Sequence, residues 1–94
     1  MGGWLYITTN PGRTTTYVGV SSNLQRRITE HYEAKGTDAT YAGRFHLYIL
    51  IYYEWMPSIM EAIGREKVIK KWNKNKKAAL IATINPTWEE LDLP

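Results

Sequence analysis

The segment NLQRRITEH, residues 23–31, places polar groups where a small helix should be apolar. At about 100° per residue, Leu24, Ile28 and His31 share one face, and Arg27 lies beside them. A second helical pattern repeats the oddity. Ile59, Ala62, Ile63 and Ile69 form a stripe, and Glu66 projects into the middle of it. A carboxylate on an apolar face is costly unless it is paired, hydrogen-bonded or bound to a metal. Two tyrosines complete the set. Tyr17 shares one face of a strand with Gly19, and Tyr6 stands on the neighbouring strand. Glycine inside a strand often marks close approach of another group. Each residue also has a plain structural explanation: cross-strand ring packing for the tyrosines, a satisfied core histidine, a salt bridge for Arg27, even to Glu66, and an i,i+4 pair with Lys70 for Glu66. Together, two tyrosines, an arginine, a histidine and a glutamate suffice for metal-assisted phosphodiester cleavage. Arginine stabilises the charged phosphorane, the glutamate holds one divalent ion, and a tyrosine or histidine moves a proton.

These residues need elements to hold them. WLYIT, residues 4–8, is aromatic and β-branched and predicts a strand. TNPGRT is the turn, and TTTYVGVS, residues 14–21, returns as the second strand. Ser22 with Gln25 reads as a capping box that starts a helix running to about Ala34. KGTDATYAG reads as a loop. HLYILIYYE, residues 46–54, is too apolar for a half-wet strand and predicts a central or well-covered one. Pro57 and Ser58 open a second helix reaching about Trp72, and KKAALIATI forms a third, shorter one. Asn85 and Pro86 break it. The expected architecture is α+β, a three-stranded antiparallel sheet with two to three flanking helices, in a single domain over residues 1–94.

The composition narrows the chemistry. There is no cysteine, which removes disulfides, thiol nucleophiles and zinc-thiolate sites together. Two histidines, His31 and His46, make a multi-histidine metal site improbable, so a metal would be a hard ion such as Mg²⁺ or Mn²⁺ on carboxylate and water. Seven of the twelve Lys and Arg residues fall between Arg65 and Lys77, with Glu66 the sole acid among them. Such a block suits a phosphate backbone, with Arg65, Lys67, Lys70, Lys71 and Lys74 as candidate contacts, or else is a solvated helix face. No basic leader with an apolar core stands at MGGWLYITTN, and LYILIYY is too short to span a bilayer. A cytoplasmic protein without membrane contact is the expectation.

The order of these residues resembles a known family. WLYI, then TYVGVSSNLQRRITEH, then EAIGREKVIKKW is similar to the GIY-YIG nuclease superfamily, in its small single-domain bacterial branch of endonucleases. The resemblance runs from Trp4 to about Trp88, and the closing NPTW fits the same branch. It implies that Tyr6 is the tyrosine of the GIY element and that Tyr17 and Gly19 are the tyrosine and glycine of YIG. It implies that Arg27 is the catalytic arginine, that His31 occupies a position held by His or Tyr, and that Glu66 is the single metal ligand. Tyr17 is then the proposed general base, with His31 its competitor, and Asn85 lies near the site. Trp4 replaces the glycine of GIY, a position that varies in this branch. The implied activity is Mg²⁺- or Mn²⁺-dependent hydrolysis of DNA, RNA not excluded, by a structure-directed or low-specificity endonuclease. Many members carry a separate DNA-binding domain for which this chain has no room, so weak sequence preference, or a partner protein that selects the target, is expected. The alternatives are a non-catalytic nucleic-acid-binding module and a subunit active only with its partner, for which Trp55, Trp72 and Trp88 offer interface or core.

Overall fold

The computed structural model describes residues 1–37 and 41–94, residue 41 by its backbone alone. Strands β1 (Gly3–Thr9), β2 (Thr16–Ser21) and β3 (Ile49–Met56) form one antiparallel sheet in the order β2-β1-β3. Helices α1 (Leu24–Glu33) and α2 (Tyr41–Arg44) fall between β2 and β3, and α3 (Ile59–Lys70) and α4 (Lys74–Ala82) follow. This is the α+β architecture expected, with β1 rather than β3 at the centre. β1 is buried almost throughout, because it is covered on both faces and paired on both edges.

The alternation of β1 divides the core. Leu5 and Ile7 join Val18, Ile51, Tyr52, Ile69 and Ile81 on the face covered by α3 and α4. Tyr6 joins Leu24 and Leu50 on the other, with Tyr17 and Ile28 packed against them. Between Ile7 and Thr8 the β1–β3 register jumps from Tyr52 to Leu50. Ile51 is the extra residue of a bulge, so Ile51 and Tyr52 both serve the first cluster.

Several boundaries differ from the sequence reading. The cap of α1 is Asn23, whose side chain accepts from the Arg26 amide at 3.0 Å, not Ser22 with Gln25. Asparagine caps as well as serine, and Ser21 fixes it by exchanging hydrogen bonds with the Asn23 backbone. Thr14 and Thr15 are turn, not strand, because Asn10 Oδ1 accepts from both their amides. β3 starts at Ile49 rather than at residue 46, since His46 has a left-handed backbone (φ 57°) that a strand cannot contain. The expected loop over residues 35–43 ends in α2, tied to the end of α1 by the Gly36 amide on Gly43 O at 2.8 Å, while residues 38–40 of it lie outside the described residues. α3 ends at Lys70, short of Trp72, and Asn73 caps α4. No helix among the described residues is long and apolar enough to cross a membrane.

Candidate active site

Tyr6 is fully buried at the centre of the site. Its side chain rises from the middle strand opposite Gly19, its partner in register on β2. A Cβ at residue 19 would stand 2.5 Å from Cζ of Tyr6, so only glycine leaves room for the phenol. α1 supplies the rest. Leu24 anchors it in the core, and one turn past Arg27 the His31 side chain reaches the sheet. Tyr6 Oη and His31 Nε2 are 2.8 Å apart. Tyr17 closes the group, its ring centroid 5.5 Å from that of His31 and 6.4 Å from that of Tyr6.

The electrostatics keep this group neutral. Burial pushes the Tyr6 phenol well above its usual value, helped by Tyr17 and by the Glu66 carboxylate, while Arg27 pulls the other way by charge and hydrogen bonding. Burial lowers the pKa of His31, and the Arg27 guanidinium lowers it further against a smaller opposing effect of Glu30. With both groups neutral, the Tyr6 hydroxyl donates to His31 Nε2 when the imidazole proton sits on Nδ1, and accepts from it in the other tautomer.

Arg27 is only partly satisfied. Its Nε lies 3.2 Å from Glu30 Oε1, an ion pair along the helix and not with Glu66. The pair is not aligned for a hydrogen bond, and Nε is buried with no acceptor among the described residues. Arg27, Glu30, His31 and Ala34 line an open cavity of about 260 Å³. Arg26, next in sequence, is exposed.

Glu66 comes from α3. Its half-buried carboxylate lies 3.4 Å from Lys70 Nζ, one turn on, and Lys70 Nζ stands 5.9 Å from the Tyr17 ring centroid. The i,i+4 pair that the sequence offered for Glu66 is thus present, and Lys70 links the glutamate to Tyr17. Among the described residues, no group of three or more His, Cys, Asp or Glu gathers to hold a metal. A lone carboxylate fits one hard cation completed by water and phosphate oxygens, and does not fit a zinc site.

Two residues of the expected set lie elsewhere. Arg65 donates from Nε to Glu54 Oε1 at 2.7 Å, and Tyr52 donates to Glu54 Oε2 at 2.5 Å, a closed triad on the α3 side of the sheet. Asn85 is buried beneath the chain end, where its Nδ2 donates to Ile51 O at 3.0 Å and to Glu89 O at 2.8 Å. It caps the carbonyl of the bulged residue instead of meeting the tyrosines. Lys74 is exposed at the start of α4. The sequence reading missed Thr8, which pairs with Tyr17 in register and is fully buried with Oγ1 unpartnered. Its only signal was its period-two relation to Tyr6.

Comparison with known proteins agrees with this geometry. The profile of the GIY-YIG catalytic domain matches residues 2–79. A UPF0213 protein of Nitratidesulfovibrio vulgaris is 36% identical over 70 residues, 74% of this chain and 62% of its own length. A UPF0213 protein of Desulfotalea psychrophila is 34% identical over 81 residues, 85% of this chain and 72% of its own. The chain spans about three fifths of the first relative and about seven tenths of the second. The solution NMR structure of a UPF0213 protein of Bacillus halodurans superposes with a TM-score of 0.59 at 28% identity, over 96% of this chain and 93% of that one. With the tyrosine pair, the glycine between them, the arginine and histidine of α1 and the glutamate of α3 all inside the matched region, this chain belongs to the GIY-YIG family.

Proposed function

We propose that the chain is an endonuclease that hydrolyses DNA phosphodiesters with one bound Mg²⁺ or Mn²⁺. The observation that carries this reading is the Arg27 Nε–H group, buried at the wall of an open cavity and lacking an acceptor. A buried donor left unmade is expensive, and an anionic oxygen in that cavity would satisfy it. The nuclease family supports phosphate as the anion.

In this reading the scissile phosphate binds between Arg27 and Glu66. Glu66 would hold the divalent cation, which would supply charge neutralisation there. Arg27 neutralises the charge that develops on the phosphorane. As the water oxygen bonds to phosphorus and the bond to the leaving sugar oxygen breaks, the water gives its proton to the Tyr6 oxygen while the Tyr6 proton passes to His31 Nε2 over the 2.8 Å bond, and the leaving oxygen takes a proton from solvent. His31 suits the acceptor role because burial and Arg27 lower its pKa from the ordinary value, and the negative charge of the incoming phosphodiester would offset the repulsion from Arg27. Tyr17, edge-on to the His31 ring and tilted against that of Tyr6, orients them and is the alternative acceptor. Lys70, paired with Glu66 in this structure, would be free to meet the phosphate once a cation took the carboxylate. The exposed Lys67, Lys71 and Lys74 draw in the rest of the backbone, and Arg65 stays with Glu54.

The test is a cleavage screen over duplex, single-stranded and branched DNA with Mg²⁺, Mn²⁺ or EDTA. Cleavage that needs the cation and falls on the order of 10²–10³-fold in Glu66→Gln is expected. Wild-type protein that cuts none of these, or a Glu66→Gln variant as active as wild type, refutes the reading.

A further inference from the structure

A second cleft opens on the other side of β2 from the tyrosines. It has a volume of about 240 Å³ and is lined by Thr14, Thr15, Thr16, Lys74, Lys77 and Trp88. Its walls are the turn before β2 and the first two turns of α4. Thr16 immediately precedes Tyr17 in the edge strand, so the cleft lies one residue along from the candidate active site.

Its chemistry is that of a phosphate beside a flat ring. Lys74 and Lys77 form no ion pair with any described residue, although Lys70 and Arg65 of the same basic block do. The Thr15 and Thr16 hydroxyls make no hydrogen bond with described residues, and Thr14 Oγ1 accepts from Asn10 Nδ2 at 2.8 Å, which leaves its proton to donate. Trp88 packs against the core cluster, is only partly buried and lines the cleft.

The cleft is also built with backbone strain. Trp88 has φ 56° and Arg13 has φ 55°, left-handed values that bulky side chains rarely adopt. The two are tied to each other, since Arg13 Nε donates to Trp88 O at 3.2 Å. Asn85 accepts the Trp88 amide on its backbone carbonyl at 3.1 Å and braces the same turn with its side chain. Ordinary core packing does not require a tryptophan to be held this way. Strain maintained by several converging bonds is characteristic of positions where a side chain is presented to a ligand.

We propose that this cleft is a subsite for one unpaired nucleotide of DNA, its base stacked on Trp88 and its phosphate held by Lys74, Lys77 and the threonine hydroxyls. The inference rests on the nuclease reading for the identity of the ligand and extends it. A single-stranded stretch leaving the scissile phosphate would pass Lys70 and Lys71 and enter the cleft, which makes a junction of paired and unpaired DNA the preferred substrate. Stacking on an aromatic side chain is sequence-tolerant, so the subsite would select structure without selecting bases.

The experiment measures binding in EDTA, where cleavage plays no part. Full-length wild type, Trp88→Ala, Trp88→Phe and Lys77→Ala are titrated by fluorescence anisotropy against labelled single-stranded oligothymidine and against a duplex of equal length, over a range of salt. Trp88→Ala should weaken single-strand binding roughly ten-fold and duplex binding little. Trp88→Phe should recover most of the loss, which separates lost stacking from lost folding. Lys77→Ala should lower the salt slope on the single strand by about 0.7. Equal single-strand affinity in Trp88→Ala and wild type, or equal losses on strand and duplex, overturns the subsite. Binding that behaves as expected in a wild type that never cleaves with Mg²⁺ supports the subsite and removes only the nuclease reading.

Discussion

The two faces of the sheet carry nearly the same residues in opposite states. On the α1 face stand Tyr6, His31, Arg27 and Glu30. On the α3 face stand Tyr52, Glu54 and Arg65. In the second group every strong donor is matched, with Tyr52 and Arg65 each donating to a separate oxygen of Glu54. Burial, helped by the Glu54 carboxylate, holds the Tyr52 phenol up at about 12, and the hydrogen bond to Glu54 raises the pKa of Arg65. On the α1 face Arg27 Nε, ion-paired with Glu30, and Thr8 Oγ1 are buried without a hydrogen bond among the described residues, and an open cavity adjoins the arginine. Tyrosine and arginine inside a small protein are therefore not in themselves a site. What separates scaffold from site is whether the polar set closes on itself or leaves donors aimed at a space.

The sharpest test of that contrast is to remove each arginine. Arg27→Ala should lower cleavage by on the order of 10²–10³-fold. It should change unfolding free energy by less than about 1 kcal/mol, because the pair it breaks with Glu30 is an exposed one along a single helix. Arg65→Ala should do the reverse. It should destabilise by about 1–3 kcal/mol through the charged hydrogen bond to Glu54, yet leave cleavage per folded molecule near wild type. Urea unfolding of both variants beside a single-turnover assay decides the matter. Two arginines with the same profile would end the distinction drawn here.

Gly19→Ala sharpens the comparison from the packing side. The added methyl would meet the Tyr6 ring at 2.5 Å, and the ring is already fixed by its bond to His31. A loss of about 1–3 kcal/mol is expected, with cleavage reduced in the molecules that fold. A wild-type melting temperature together with full activity would show that Tyr6 has room to move.

The smallest expected effect is on pH. His31 titrates below its ordinary 6.5 in the folded chain because of burial and Arg27. The unfolded chain therefore binds the proton more readily, and the stability that His31 contributes is present above pH 6.5 and lost as pH falls through the lowered folded value. Denaturation midpoints between about pH 7.5 and 5 should decline in wild type and decline less in His31→Gln. Identical slopes would mean that His31 is not held neutral by its surroundings.

Part of this could be read along the chain. The 3.6-residue period separated Arg27 from Arg26, and the structure keeps them apart, one half-buried at the cavity and the other exposed. The period-two pattern put Tyr17 and Gly19 on one strand face, where the register now sets Gly19 opposite Tyr6. Local rules were weaker where two residues compete for one role. Ser22 and Asn23 are both good caps, and only the bonds from Ser21 decide between them. His46 shows no local sign of its left-handed backbone, which is what displaced the start of β3.

Periodicity, composition and turn chemistry by themselves determined the α+β class and the faces of Arg27, His31, Tyr17 and Gly19, and the order of the motifs carried the resemblance to the family. They act over a few residues, and a few residues are enough to fix a face. Only the tertiary structure decided which polar groups are paired. Glu54 reaches Arg65 from eleven positions away, Tyr6 reaches His31 across twenty-five, and Arg13 reaches Trp88 across seventy-five. A hydrogen bond depends on fractions of an ångström between segments that the chain brings together only on folding, so a polar residue's face could be read in advance and its partner could not.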